Sequence, residues 1–253
     1  MQDLILRTLK KLKKKINIMS HKEQQDFIKK VKTLFPDKFK NKMVIDFGSL
    51  DINGSNRQWF ENCNYTGVDI NEGKNVDYVS RCHDFIDDNI YDVVISTEML
   101  EHDMYWKKSL SNMLSLLSSG GLLIITCATT GRPEHGTKRS EPFTSPFTSQ
   151  IDTWCDYYKN LTIEDVASVI NPKQNFSEYF ENQTTITKGS IELKLGDKIL
   201  VEDKDYIVDY KRANSGEKNY IKVKNYVNSG DKKTQPVITS LPHCDYQFWG
   251  LKK

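Results

Sequence analysis

From Met43 onward the chain consists of short, nearly uninterrupted apolar runs separated by helical segments, and that pattern restricts the fold more than any single motif. Met43 to Phe47, Tyr65 to Ile70, Val76 to Ser80, Tyr91 to Thr97 and Leu122 to Cys127 read as five strands. Strands this short and this continuously apolar are buried on both faces, which calls for a mostly parallel sheet sandwiched by helices. Leu110, Met113, Leu114 and Leu117 sit at helical spacing between the fourth and fifth strands, with Gly120-Gly121 expected to end that helix. Thr162 and Asp165 mark a later helix start, and Asn171-Pro172 its end.

Composition narrows the setting. With 36 basic against 34 acidic residues, there is no global electrostatic case for nucleic acid. No run approaches the roughly 20 apolar residues of a membrane-spanning helix, and the N-terminus lacks the apolar block of a secretory signal, so a cytoplasmic protein is expected. Five scattered cysteines without a C-x-x-C pair point to reduced thiols used as small hydrophobes.

Residues 1–40 read as N-terminal helices. Ile5, Leu9, Leu12, Ile16 and Met19 form one helical face and Lys10, Lys11, Lys13, Lys14 and Lys15 crowd the rest, so residues 1–19 could lie on the body, on an acidic partner or on a membrane surface. Ser20 and Glu23 have capping-box spacing for a second helix through Phe27, Val31 and Leu34, stopped by Pro36. Residues 41–186 form the core. Residues 187–240 carry alternating apolar positions (Ile191, Leu193, Leu195; Ile199, Val201; Tyr206, Val208, Tyr210; Ile221, Val223) and a turn at Asn214 to Gly216, the pattern of a small antiparallel β insertion. Residues 241–253 then return a last strand, Cys244 to Leu251, to the main sheet.

In an open α/β sheet ligands bind at the carboxyl ends of the strands, where strand order reverses. The first strand ends in Asp46-Phe47-Gly48-Ser49, followed by a polar loop containing Gly54 and a helix expected through Trp59 and Phe60. Gly48 admits close backbone approach, and Asp69 at the end of the second strand can accept from ribose hydroxyls. A dinucleotide or S-adenosylmethionine would use such a site. Leu50 and Asn53 stand where the dinucleotide fingerprint needs glycines, which argues against a nicotinamide-dependent oxidoreductase, and Asp46 suits a cationic sulfonium and amino group better than a diphosphate.

The segments VIDFGS (44–49), YTGVDI (65–70), YDVVISTEMLEH (91–102) and SSGGLLIIT (118–126) together resemble the class I S-adenosylmethionine-dependent methyltransferases, in particular those with an EMLEH-like segment after the fourth strand. The resemblance implies a Rossmann-like, seven-stranded, mostly parallel sheet whose last strand is antiparallel. It implies that Asp46, Gly48 and Ser49 line the methionine part of the cofactor, Asp69 binds the ribose and Ile70 lies against the adenine. Cys82 and His83 fall near the adenine edge, and Ser96 and Thr97 close the pocket. Ser49 replaces the usual second glycine, and Arg81 stands near where an acidic adenine contact is common.

Helical steps of three and four would bring Glu98, Glu101 and His102 to one side, where two carboxylates and an imidazole can hold Mg2+ or Mn2+ and lower the pKa of an acceptor hydroxyl. E-x-x-E-H resembles the metal-binding segment of ubiquinone-biosynthesis O-methyltransferases and of small-RNA 2'-O-methyltransferases. The loop after the fifth strand offers Arg132 for an anionic acceptor group, Glu134 as a further substrate contact, and His135 as a base or an additional metal ligand. Trp154, Tyr157 and Tyr158 are candidates for an aromatic wall over the acceptor. The expectation is methylation of an oxygen on a small molecule or glycan precursor, with His102, His135 and Glu101 as the catalytic set. Metal-assisted RNA 2'-O-methylation and a non-catalytic S-adenosylmethionine-binding scaffold are the alternatives.

Overall fold

A computed structural model describes residues 22–187, 190–195, 198–210, 213, 221–223, 237–240 and 244–253. Its main body is one seven-stranded sheet of β1 (Met43–Phe47), β2 (Asn64–Asp69), β3 (Tyr78–Val79), β4 (Tyr91–Thr97), β5 (Leu117–Ala128), β6 (Phe176–Gln183) and β12 (Asp245–Lys252), in the order β3-β2-β1-β4-β5-β12-β6. β3, β2, β1, β4 and β5 run parallel, while β12 is antiparallel to both β5 and β6.

The period-two geometry of a strand explains why the runs are continuously apolar. Ile45, Phe47, Val94, Leu123 and Ile125 point to one face, where α2 (Trp106–Leu116) and α3 (Ile163–Ile170) supply Leu110, Met113, Val166 and Ile170. Val44, Val93, Ile95, Leu122 and Ile124 point to the other, where α1 (residues 22–34) supplies Phe27, Ile28 and Val31. Thr162 caps α3 through a full capping box with Asp165, and Asn171 closes it in the left-handed region. A four-residue helix, α4 (Pro172–Asn175), leads into β6. Residues 1–19 and Ser20 lie outside the described residues.

Three local expectations are corrected. Helix α2 stops at Leu116, and Leu117, expected on its apolar face, is already extended and paired with Tyr91. The glycine pair therefore lies inside β5, where Gly120 adopts φ +71 and the ladder shifts register between Tyr91 and Val93. Lys252 Nζ takes over part of the helix-ending role by donating to the carbonyls of Leu114 and Leu117 at 2.9 and 2.6 Å. After β1, the expected helix through Trp59 and Phe60 is a single 3-10 turn, Asn56–Trp59, capped by Ser55; Phe60 is extended, and the chain pairs Glu61 with Lys40 on its way into β2. β6 carries no clear strand signal and was not anticipated.

Between β6 and β12, β7 (Glu192–Leu195), β8 (Lys198–Leu200) and β11 (Val237–Ser240) form a three-stranded antiparallel sheet, and β9 (Tyr206–Val208) pairs with β10 (Ile221–Val223). They share a small core of Ile186, Ile191, Leu193, Leu200, Tyr206 and Val208. The turn expected at residues 214–216 lies outside the described residues. Among the described residues no helix is long and apolar enough to cross a membrane.

Candidate active site

Strand order reverses between β1 and β4, and a cleft of about 670 Å3 opens at the carboxyl ends of these strands. Asp46, Gly48, Ser49, Asp69, Ile70, Cys82 and Thr97 line it, as do Glu98, His102, Arg132, Glu134, His135 and Trp154. Gly48 holds φ +82, and a Cβ there would sit 2.6 Å from Met99 Cβ, so the approach of the segment after β4 requires glycine.

Asp69 is fixed by its neighbours: Oδ2 accepts from Leu50 N at 3.1 Å and Oδ1 from Ile70 N at 2.7 Å. Each carboxylate oxygen accepts a second hydrogen bond, so the geometry still allows ribose hydroxyls to dock. Burial raises its pKa, and the two backbone hydrogen bonds oppose that rise. Asp46 is buried more completely, and its carboxyl is pushed up to about 7, chiefly by loss of solvent.

Two of the expected cofactor contacts lie elsewhere. Cys82 and His83 occupy one 3-10 turn, Cys82–Asp84, in which successive side chains diverge by about a third of a turn. Cys82 points inward and borders the cleft, whereas His83 packs on Tyr105 at 4.5 Å beside a surface groove with Lys107 and Lys108. Ser96 is fully buried in β4 and does not reach the cleft wall.

The EMLEH segment is not a helix. Glu98 has φ +53 and continues from β4, its N–H donating to Thr126 O and its Oε1 accepting from Thr126 Oγ1, both at 2.9 Å. Leu100–His102 is one 3-10 turn. The expected set of Glu98, Glu101 and His102 is thereby corrected: ligand atoms of Glu101, His102 and His135 lie within 4.8 Å of one another, and Glu98 is not in that group. Glu101 is completely buried; its Oε1 accepts from Ala128 N at 3.2 Å, while its Oε2 has no partner. His102 is 4% exposed, with Nδ1 unpartnered. Its ring stands 5.1 Å from His135 and 5.5 Å from Tyr158. His135 Nδ1 lies 3.0 Å from Pro133 O, so the neutral ring donates there and carries its lone pair on Nε2.

Burial, reinforced by the charge of Glu98, raises the Glu101 pKa well above the carboxylate range. Burial, then His135 and Arg132, drives the His102 imidazole well below its usual value. A neutral imidazole beside a carboxyl group with an orphaned oxygen is a donor set suited to a divalent cation.

Of the other acceptor-side candidates, Arg132 Nη1 pairs with Asp245 Oδ1 at 3.1 Å at the start of β12. Glu134 holds Arg139 and Thr137. The aromatic wall reduces to Trp154: Tyr157 packs against the core, and Tyr158 stands behind the two imidazoles with its hydroxyl buried and unpartnered. Gln24, Asn56, Asp103 and the Ser145–Thr148 stretch also line the cleft, and sequence reasoning missed them. The tandem Pro-Phe-Thr-Ser at 142–145 and 146–149 was the available signal for the last of these.

A family model described as "Methyltransferase domain" matches residues 19–167, more than half of the chain. No curated protein matches. Similar solved structures include phosphoethanolamine N-methyltransferase 2 of Haemonchus contortus with S-adenosyl-L-methionine (18% identity, 62% of this chain and 39% of that one, TM-score 0.42). N-methyltransferase NodS of Bradyrhizobium japonicum WM9 with S-adenosyl-l-homocysteine is another (12% identity, 66% and 81%, TM-score 0.43). A third is the 1,6-didemethyltoxoflavin-N1-methyltransferase of Burkholderia thailandensis (13% identity, 59% and 67%, TM-score 0.40). The chain spans 39% of the length of the Haemonchus enzyme. With the family model covering residues 19–167, including β1, β2, β4 and β5 at the cleft, the chain belongs to the methyltransferase-domain family.

Proposed function

We propose that the chain transfers the methyl group of S-adenosylmethionine to an oxygen of a small molecule or glycan precursor. The carrying observation is the convergence of the buried Glu101 and His102 with the half-buried His135, the two imidazoles lining the same cleft as Gly48 and Asp69. Bound S-adenosylmethionine supplies an electrophilic methyl on a sulfonium. Displacement at that methyl asks the protein for alignment and, with a hydroxyl acceptor, for removal of a proton. His102, held neutral by burial, or His135 through Nε2, accepts that proton. Alternatively, Glu101, His102 and His135 would hold Mg2+ or Mn2+, which would lower the pKa of the acceptor hydroxyl, and the imidazole nitrogens bound to the ion would then not serve as the base. Asp46, Gly48, Ser49, Asp69, Ile70, Cys82 and Thr97 serve the cofactor, and Arg132, Glu134 and Trp154 shape the acceptor end.

The same group also favours metal-assisted RNA 2'-O-methylation as a second reading, for which binding to RNA would weaken steeply with salt. Calorimetric titration with S-adenosylmethionine, with Asp69→Ala and a nicotinamide dinucleotide as controls, tests the cofactor. A screen of hydroxyl and amine acceptors with and without Mg2+ tests the rest. A neutral amine needs no base, so a rate indifferent to His102→Ala and His135→Ala would overturn the O-methylation reading; a scaffold would show binding without turnover.

A further inference from the structure

Behind the cofactor wall runs a hydrogen-bonded chain in which Tyr65 and Asn56 have no part in the methyl-transfer reading. Asp46 Oδ2 accepts from the Tyr65 hydroxyl at 2.7 Å. Asn56 Nδ2 stands 3.4 and 3.3 Å from the two Asp46 carboxylate oxygens and donates to Thr97 Oγ1 at 3.0 Å. Asp46 sits opposite Gly67 on β2, and Tyr65, two residues earlier, lies on the same face of the sheet as Gly67. Tyr65 is itself clamped, with the Arg57 guanidinium 4.6 Å above its ring and Arg57 paired to Asp77, whose carboxylate accepts from Gly67 N at 2.7 Å.

We infer that Tyr65, seconded by Asn56, is a positioning residue for the cofactor: its hydroxyl aims the Asp46 carboxylate at the cationic methionine end of S-adenosylmethionine. The inference rests on the cofactor reading above. Asp46 borders the cleft yet is 1% exposed, so its orientation and charge depend on what lies behind it. Burial and the nearby Asp69 charge favour its neutral form; the hydroxyl of Tyr65, the amide of Asn56 and the charge of Arg57 favour the ionised form. Without the tyrosine hydroxyl, less of the carboxylate is charged near neutrality and its aim loosens, and both effects weaken attraction for a cation.

The test is a double-mutant cycle on the affinity for S-adenosylmethionine, measured by calorimetry on wild type, Tyr65→Phe, Asp46→Asn and the double variant. Loss of a hydrogen bond to a charged group predicts about tenfold weaker binding for Tyr65→Phe. On the Asp46→Asn background the same change should cost nothing. Wild-type affinity should rise with pH through neutrality, and Tyr65→Phe should displace that profile to higher pH. An unchanged affinity in Tyr65→Phe, or an equal loss on the Asp46→Asn background, overturns the inference and makes Tyr65 merely structural. If Tyr65→Phe does not fold, Asn56→Ser enters the same cycle with the same expected non-additivity. Failure of folded wild type to bind S-adenosylmethionine sinks the cofactor reading and this inference together, whereas binding with additive losses sinks the inference alone.

Discussion

The Trp154 indole donates to the main-chain carbonyl of His102 at 2.6 Å, tying the loop after β5 to the turn after β4. Both residues are buried, so the carbonyl has no access to water as a substitute partner. Trp154→Phe keeps most of the ring and removes the donor. It should cost about 1–3 kcal/mol of stability and reduce kcat more than it weakens cofactor binding. Thermal unfolding and steady-state kinetics on the same preparation check this; an unaltered turnover would mean that the His102 turn holds its shape unaided.

Gly136 presses on the same histidine. It has φ +66, and a Cβ there would stand 2.5 Å from His102 Cε1 and 2.7 Å from Ser145 Cβ. Gly136→Ala should therefore displace the imidazole and lower turnover by about tenfold or more, a loss larger than backbone strain alone brings. The comparison variant is Gly120→Ala: it too has positive φ, +71, but no atom lies near its Cβ, so its stability should fall without a specific loss of turnover.

The buried carboxyls give stability a definite pH slope. Asp46 and Asp245 are both raised to about 7, chiefly by burial. A carboxyl whose folded pKa lies above its unfolded value binds more protons in the folded state, so the stability these two groups contribute without ligand is greatest below about pH 4, falls as pH rises toward 7 and then levels. Asp46→Asn should flatten part of this slope and stabilise the unliganded protein by a few kcal/mol above neutrality, roughly the cost of ionising a buried group. Denaturant midpoints across the pH range decide it, and a slope identical to wild type would remove Asp46 as a contributor.

Manganese titration should distinguish the roles of the two glutamates. If the proposed ion site is right, Glu101→Gln and His135→Ala should each weaken Mn2+ binding by about tenfold or more, since each would delete one of its three ligand groups. Glu98→Gln should matter less, because its Oε1 is engaged with Thr126 and it lies outside the convergent group. Equal losses for Glu98→Gln and Glu101→Gln would replace the present group by one that includes Glu98.

The parts of the fold legible in the sequence are those buried on two sides. β1 and β4 begin and end where their apolar runs do, because every side chain there meets a core. β6 was illegible because Phe176–Gln183 is an edge strand in which Ser177, Glu178 and Phe180 are exposed and only Phe176 is buried, leaving no clean alternation. Gly120-Gly121 misled because a glycine pair ends helices more often than it bends strands, and only the pairing of Leu117 with Tyr91 shows which occurs. At the site, residue types were readable but directions were not. Glu101, His102 and His135 come together although helical spacing pointed to Glu98, and His83 packs on Tyr105 away from the cleft because a 3-10 turn does not keep neighbouring side chains on one side.

The insertion after β6 leaves and rejoins the sheet at a single stitched point. Thr184 N donates to Asp245 O at 3.0 Å, Asp245 N to Thr184 Oγ1 at 2.9 Å, and Thr129 N to Cys244 O at 3.0 Å. An excursion whose two ends are already fastened together can grow, shrink or be exchanged with little penalty to the framework it springs from, because the entropy of closing it changes only slowly with its length. The stitch also abuts Arg132 on the cleft wall. The architecture thus hangs beside Arg132 an appendage whose length and sequence can change without disturbing the sheet that carries Gly48 and Asp69.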